Sequence, residues 1–339
     1  MTRGAKLQST LTPRVRAVRL KPLGNTGLSV SELALGTMTW GRDTDEYEAR
    51  EQLDLFFNAG GNLIDTADTF SQGQSESMLG EFLSEVPRSE FLISTKAGRV
   101  PADRQHDCSR THLLSALNKS LVRLQTEYID LWHVHGYDSV TSLASLADTL
   151  STAISDGKVR YIGLSNFAPW QYVHLQSLLP TGRLISSAQY EYSLLQRGVE
   201  AELFPALPHF GTGFLAWSPL GRGVLTGKYR NTIPADSRAA SPHWGAFARN
   251  LINDHTRNIV EAVATAAQGL GTSPIDVALS WVRSNANVSS AITGARTAAQ
   301  LRTLLATIDT QLPSEIVSAL DDVSGSVAQY PSAQHFQTN

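Results

Sequence analysis

An alternation of two kinds of segment constrains this chain more than any other feature. Short apolar runs rich in Leu, Ile and Val occupy residues 33–37, 62–66, 91–96, 129–135, 159–166, 185–190, 213–218 and 290–294, with helix-like stretches between them. Continuous apolar runs of this length suit parallel strands covered on both faces, because a half-exposed strand would alternate apolar with polar residues. The intervening stretches carry helix punctuation. Leu113, Leu117, Leu121 and Leu124 recur at helical spacing behind Ser109, a natural N-cap. Leu143, Leu146, Leu150 and Ile154 do the same and stop at Asp156-Gly157. Pro169 stands where a first turn begins, and Gly60-Gly61 ends the helix containing Leu53 and Phe56. Eight strands with helices between them predict an α/β fold, a (β/α)8 TIM barrel, with a doubly wound open sheet as the competitor. Gly24-Asn25-Thr26-Gly27 predicts a leading N-terminal β-hairpin. Residues 219–253, rich in Gly and Pro, are too long for a simple connection and read as a functional loop after the seventh barrel strand.

The length of 339 residues fits one such barrel, which takes about 250 residues plus insertions. A charge balance of 28 Lys+Arg against 31 Asp+Glu gives no electrostatic reason to expect nucleic acid or an anionic membrane as partner. The single cysteine, Cys108, allows no internal disulfide, and no apolar run approaches the roughly 18 residues of a membrane span. We expect a cytoplasmic protein acting on a small molecule. Residues 1–17, basic and with apolar positions too sparse for an amphipathic helix, read as a flexible tail in preference to a transit peptide. Residues 18–329 read as one domain, and 330–339 as a flexible polar tail.

The apolar runs end in polar residues. Asp65, Lys96, His135, Asn166, Gln189 and Trp217-Ser218 stand at successive run ends, and Arg296 follows the last. In a barrel the C-terminal strand ends all face one side, and a charge buried without a partner is costly. A carboxylate, an ammonium and an imidazole at neighbouring ends are therefore expected to meet in one polar cluster. His133 lies two residues before His135 and shares its face of the strand. An H-x-H pair is also zinc-ligand spacing, which keeps a metal-dependent hydrolase as a distant alternative. A nearby ammonium would repel the cation, so we expect no metal and a hydrogen-bonded His133 one layer below the site.

These residues sit in a recognisable order. The segments are Leu35-Gly36-Thr37-Met38-Thr39-Trp40-Gly41, Asp65-Thr66-Ala67-Asp68-Thr69-Phe70, Ser94-Thr95-Lys96 and Asp130-Leu131-Trp132-His133-Val134-His135. They continue with Gly163-Leu164-Ser165-Asn166, Gln189-Tyr190-Glu191-Tyr192-Ser193, Trp217-Ser218-Pro219-Leu220 and Gly294-Ala295-Arg296. In this order and spacing, from about Val18 to Val327, the chain resembles the aldo-keto reductase superfamily. The resemblance implies carbonyl reduction with NADPH on an (α/β)8 barrel, with no Rossmann fold. Gly221-Arg222-Gly223 accordingly reads as a turn in the long loop and not as part of a dinucleotide fingerprint.

Carried over position by position, the resemblance makes Asp65, Lys96 and His135 three of four catalytic positions. The fourth, five residues after the Asp, is a tyrosine in the family and Phe70 here. Phe keeps the ring and removes the proton that the developing oxyanion needs. Three explanations stay open. Phe70 is an engineered Tyr-to-Phe change that silences or weakens the enzyme; or Phe70 is native and His135, Lys96 or a water gives the proton; or the substrate is an imine or iminium that needs little acid. A cofactor-binding regulatory protein on the same barrel is the rival function. The resemblance further implies that Ser165, Asn166 and Gln189 hold the nicotinamide carboxamide and that Trp217 stacks on its ring. It assigns Ser218, Leu220, Gly223 and Lys228 to the pyrophosphate region, Arg296 to the 2′-phosphate and Gln300 to the adenosine end. Gly36, Thr37, Trp40, Asp65 and Gly294 fall in the same cofactor set. Thr303 and Leu304 stand where many relatives have Glu-Asn, which weakens the expected adenine contacts. Trp40, Phe70, Trp132 and His135 are expected to line the substrate pocket, with Trp244 and Phe247 of the long loop at its mouth.

Overall fold

The computed structural model describes residues 17–100 and 105–325. The tails expected at 1–17 and 330–339 lie, but for Ala17, outside the described residues. Eight strands form a closed parallel barrel. They are β3 (Leu33–Gly36), β4 (Leu63–Asp65), β5 (Leu92–Ala97) and β6 (Ile129–Val134), then β7 (Val159–Ser165), β8 (Ile185–Glu191), β9 (Gly213–Trp217) and β10 (Val288–Gly294). Strand β10 closes the ring on β3 in the register Ala291 with Leu33. Each expected run matches a strand to within two residues, and the open sheet is excluded. Ahead of the barrel, β1 (Leu20–Pro22) and β2 (Ser29–Ser31) pair antiparallel as the expected hairpin.

The helices are α1 (Glu46–Asn58), α2 (Gln74–Leu83), α3 (Arg110–Arg123), α4 (Leu143–Ser155), α5 (Pro169–Leu178) and α6 (Leu203–Phe210). They continue with α7 (Gly245–Arg249), α8 (Asp254–Leu270), α9 (Pro274–Ser284), α10 (Ala298–Ala306) and α11 (Ser314–Ser324). The expected punctuation holds. Ser109 caps α3 by accepting from the His112 N–H, and Pro169 opens α5. Among the described residues no helix is long and apolar enough to cross a membrane.

Strand periodicity sorts side chains into two cores. Outward residues pack under the helices in one large cluster, whereas Ala34, Leu63, Leu131, Leu215 and Ile292 fill the barrel interior with Leu23 and Val30 of the hairpin. The hairpin thus plugs the N-terminal end. Its turn comes so close to the chain before β9 that a Cβ on Gly24, at φ +52°, would stand 2.2 Å from the Gly211 carbonyl oxygen. Also at this end, the buried Glu32 carboxylate accepts from Arg19 at 2.8 and 3.0 Å and faces the Arg283 guanidinium at 3.5 Å. One layer above the apolar interior the residues turn polar. There His133 bonds Ser187 Oγ at 2.8 Å, and the absence of a side chain at Gly163 makes room for its ring.

The connection after β9 is folded and not a bare loop. Two 3-10 turns, Gly221–Thr226 and Arg238–Ala240, precede α7. Arg222 pins it by a bidentate bond to Glu191 at 2.8 and 2.6 Å and a third bond to the Phe247 carbonyl oxygen at 2.8 Å. The indole of Trp244 reaches Asp43, beyond β3, at 3.1 Å. The segment therefore straps across the C-terminal mouth of the barrel.

Candidate active site

The strand ends bring the three expected groups together. Lys96 Nζ bonds Asp65 Oδ2 at 2.7 Å and the Thr66 carbonyl oxygen at 2.7 Å, both side chains being almost fully buried. Asp65 Oδ1 accepts from Ser94 Oγ and from Gln189 Nε2, each at 2.8 Å. Breaking a pair buried this deeply costs about 3–5 kcal/mol, because the survivor keeps its charge without a partner. His135 is buried just past the end of β6, its amide bonded to Ala97 of β5 at 2.9 Å. Burial first, then the charge of Lys96, holds its pKa well below the ordinary histidine value, so the ring is neutral. Burial pushes His133 below it down to about 3. Its Nδ1 lies 3.4 Å from Ser94 Oγ, so both ring nitrogens face serine hydroxyls. Among the described residues no group of three His, Cys, Asp or Glu side chains is placed to hold a metal ion.

Phe70 faces this cluster. Its ring centroid is 5.2 Å from Lys96 Nζ and 6.4 Å, edge on, from the His135 ring. It opens a turn in which Ser71 (φ 49°) and Gln72 (φ 58°) are left-handed, anchored by Ser71 Oγ on the Trp40 carbonyl oxygen at 2.6 Å. Left-handed backbone costs a residue with a side chain roughly 1–2 kcal/mol. Of the six such non-glycine residues among those described, five (Ser71, Gln72, Asn166, Ser218 and Arg222) line one cavity. Strain concentrated in this way marks the mouth as a site shaped for a ligand.

That cavity, about 1470 Å³, is lined by Asp65, Phe70, Lys96 and His135, by Ser165, Asn166, Gln189 and Trp217, and by Arg238, Arg296 and Gln300. It exceeds the roughly 300–1,000 Å³ of ordinary small-molecule pockets, as an extended dinucleotide with a substrate requires. Gly36, Ser218, Leu220, Gly223, Lys228 and Gly294 line it as expected. Asn166 ties three strand ends together, donating to the His135 carbonyl oxygen at 3.2 Å and to Ser165 Oγ at 2.9 Å while accepting from Trp217 Nε1 at 3.2 Å. Thr303 and Leu304 also border the cavity, and the Thr303 hydroxyl is spent on the Ala299 carbonyl oxygen at 3.2 Å.

Three expectations need correction. Trp132 is fully buried and does not line the cavity, because His133 and His135 point inward and strand alternation sends Trp132 outward under the helices. Trp40 is also fully buried, its indole donating to Gln52 at 3.2 Å and meeting Phe82 edge on at 6.0 Å. Thr37 is enclosed too, its hydroxyl bonded to the Asp65 carbonyl oxygen at 3.1 Å. Met38, Val100, Trp244 and Phe247, and not the two tryptophans, line the cavity together with Phe70.

Other contributors carry weaker sequence signals or none. Ser94 and Ser187 are inward residues two before Lys96 and Gln189, so the period of two could have found them. Arg238 has no such signal. It lies in an aperiodic stretch, yet its guanidinium faces the cavity, and burial lowers its pKa while Arg296 lowers it further. Two guanidiniums that act on each other, together with Lys228 and with donor and acceptor side chains in the same lining, fit the phosphates and the amide of a nicotinamide dinucleotide.

The comparisons with known proteins agree with this geometry. The model of the aldo/keto reductase family matches residues 32–324. The chain is 34% identical over 318 residues to a rice protein named as a probable voltage-gated potassium channel subunit beta, covering 90% of this chain and 96% of that one. It is 35% identical over 315 residues to the uncharacterized oxidoreductase YrpG of Bacillus subtilis (89% and 94% covered). It is 34% identical over 344 residues to protein tas of Escherichia coli (91% and 97% covered). The chain therefore belongs to the aldo/keto reductase family, a family of NAD(P)-dependent oxidoreductases.

Proposed function

We propose that the protein uses NADPH to reduce the carbonyl group of an aldehyde or ketone whose apolar or aromatic part sits against Met38, Phe70, Trp244 and Phe247. One observation carries the reading: Asp65, Lys96 and His135 line the same cavity as the cations Lys228, Arg238 and Arg296. When bound, the reduced nicotinamide supplies a hydride to the carbonyl carbon. Lys96, held by Asp65 and the Thr66 carbonyl oxygen, keeps a positive charge beside the oxygen on which negative charge develops. His135, being neutral, keeps one ring N–H to donate to that oxygen. Gln189 has its nitrogen committed to Asp65 and retains an amide oxygen, while Ser165, which accepts from Asn166, retains a hydroxyl proton. Together they suit the donors and acceptors of a carboxamide. Trp217, fixed by Asn166, offers a stacking face. Arg238 and Arg296 favour a 2′-phosphate and so NADPH over NADH. The single, buried thiol of Cys108 goes with a cytoplasmic setting, and the one closed barrel among the described residues supports reading 18–329 as one domain.

Phe70 favours a second reading, a cofactor-binding regulatory protein with little turnover, and the plant relatives named as potassium channel subunits point the same way. Quenching of tryptophan fluorescence by NADPH and by NADH, followed by turnover of aromatic aldehydes, separates the two. NADPH is expected to bind about 10–100-fold tighter than NADH, the worth of one or two charge-assisted hydrogen bonds. Binding with aldehyde turnover supports the reductase. Binding with turnover of a cyclic iminium alone places the substrate among imines, and binding without turnover favours the regulatory protein. No binding of either cofactor overturns both readings.

A further inference from the structure

Two acids line the cavity among the described residues. Asp65 is committed to Lys96, which leaves Asp68. A carbonyl oxygen that gains negative charge needs a proton, and the obvious sources near it are poor ones. Phe70 has none to give. Lys96 has two of its protons bonded, and losing one would leave the Asp65 carboxylate buried without a counter-ion. The neutral ring of His135 would have to become an imidazolate.

Asp68 is differently placed. It lies two residues before Phe70 in the same turn, and its amide donates to the Lys96 carbonyl oxygen at 3.0 Å, which fixes it to the end of β5. Its Oδ1 is buried and has no hydrogen-bond partner. A second carboxylate acts on it electrostatically, Glu76 of α2, fully buried and well supplied with donors: Thr95 Oγ1 at 2.6 Å and Arg123 Nε at 2.8 Å. A carboxyl group without donors, buried near another carboxylate, favours its protonated form.

We infer that Asp68 is the proton donor of this cavity, taking over the task for which Phe70 has no hydroxyl. The inference rests on the reductase reading above. As hydride reaches the carbonyl carbon, the C=O π pair moves onto oxygen, which takes the proton from the Asp68 carboxyl directly or through one water. The Asp68 O–H bond breaks, an alcohol leaves, and the Asp68 carboxylate regains its proton from solvent. The charges around Asp68 support this state. Burial first and the Glu76 charge second raise its pKa to about 7, against the opposing pull of Arg123 on α3, the Thr69 amide and Lys96 on β5. At neutral pH the group is therefore poised to give and to regain a proton.

The test uses the full chain with Asp68→Asn and Asp68→Glu. Three things are measured: kcat/KM for aldehyde reduction against pH, NADPH affinity by tryptophan fluorescence, and the infrared band of protonated carboxyl groups in the cofactor-free protein. The wild-type rate is expected to fall about tenfold per pH unit above the Asp68 pKa. Asp68→Asn should lose about 10²–10⁴-fold in kcat/KM, flatten that limb and leave NADPH affinity unchanged, while Asp68→Glu restores the pH-dependent limb. A carboxyl band titrating near neutrality should be present in the wild type and missing from Asp68→Asn. An Asn variant with the wild-type rate and pH profile, or a wild type without that band, overturns the inference and leaves the reductase reading intact. A wild type that neither binds NADPH nor turns over removes both.

Discussion

Restoring a hydroxyl at position 70 tests the proton's route most sharply when it is done in two backgrounds. Phe70→Tyr adds an oxygen to a half-buried ring whose centroid is 5.2 Å from Lys96 Nζ and 6.4 Å from the His135 ring centroid, on a side chain that lines the same cavity as both. A correctly placed general acid is worth about 10²–10⁴-fold in rate, or about 3–5 kcal/mol of barrier. If Asp68 already delivers the proton, the added phenol duplicates a task already performed, and effects of groups serving one step do not add. The gain in kcat/KM should then be about tenfold or less in the wild-type background and approach the full 10²–10⁴-fold in Asp68→Asn. The assay is steady-state oxidation of NADPH with an aromatic aldehyde, alongside cofactor titration to show that binding is unchanged. Equal gains in both backgrounds would refute the shared proton. No gain in either would refute the idea that position 70 faces the reacting oxygen.

Three further outcomes follow from the geometry. Arg238→Ala removes a cavity-facing guanidinium and should weaken NADPH binding about 10–100-fold while barely affecting NADH; equal losses for both cofactors would place Arg238 away from the 2′-phosphate. Gly163→Ala puts a Cβ 2.3 Å from His133 Cδ2 and 2.4 Å from Ser187 Oγ and should cost about 1–3 kcal/mol in urea unfolding, an unchanged midpoint contradicting the packing described. Glu32→Gln strips the carboxylate from between Arg19 and the buried Arg283 and should destabilise by about 3–5 kcal/mol without altering NADPH affinity. A change in affinity there would mean that the two barrel ends are not independent.

The barrel was legible because its strands are buried on both faces, so most appear as short runs with few charged residues, rich in apolar and small side chains. The polar cluster was legible for the same reason: Asp65, Lys96 and His135 interrupt apolar runs, and barrel geometry aims all the ends one way. The two tryptophans are less legible. Strand alternation placed His133 and His135 on one face, and the same rule sends Trp132 to the other, yet aromatic character alone made it a pocket residue. Trp40, in the connection before α1, has no period from which its burial against Phe82 could be read. Arg238 and Asp68 went unread because their character comes from partners distant in sequence. Burial and the charge of Glu76, opposed by Arg123, raise the pKa of Asp68, and the strap after β9 carries Arg238 into a cavity lined by strand ends from all around the barrel.

Mixing NADPH-loaded protein with an excess of an aromatic aldehyde, and following the near-ultraviolet absorbance of reduced nicotinamide through a single turnover, examines the central claim most directly. One cofactor bound per chain, with its absorbance lost in one exponential phase as one alcohol forms, is the expected result. Absorbance that persists after aldehyde addition would contradict hydride transfer in this cavity, and a protein that retains no NADPH would contradict its assignment as a dinucleotide site.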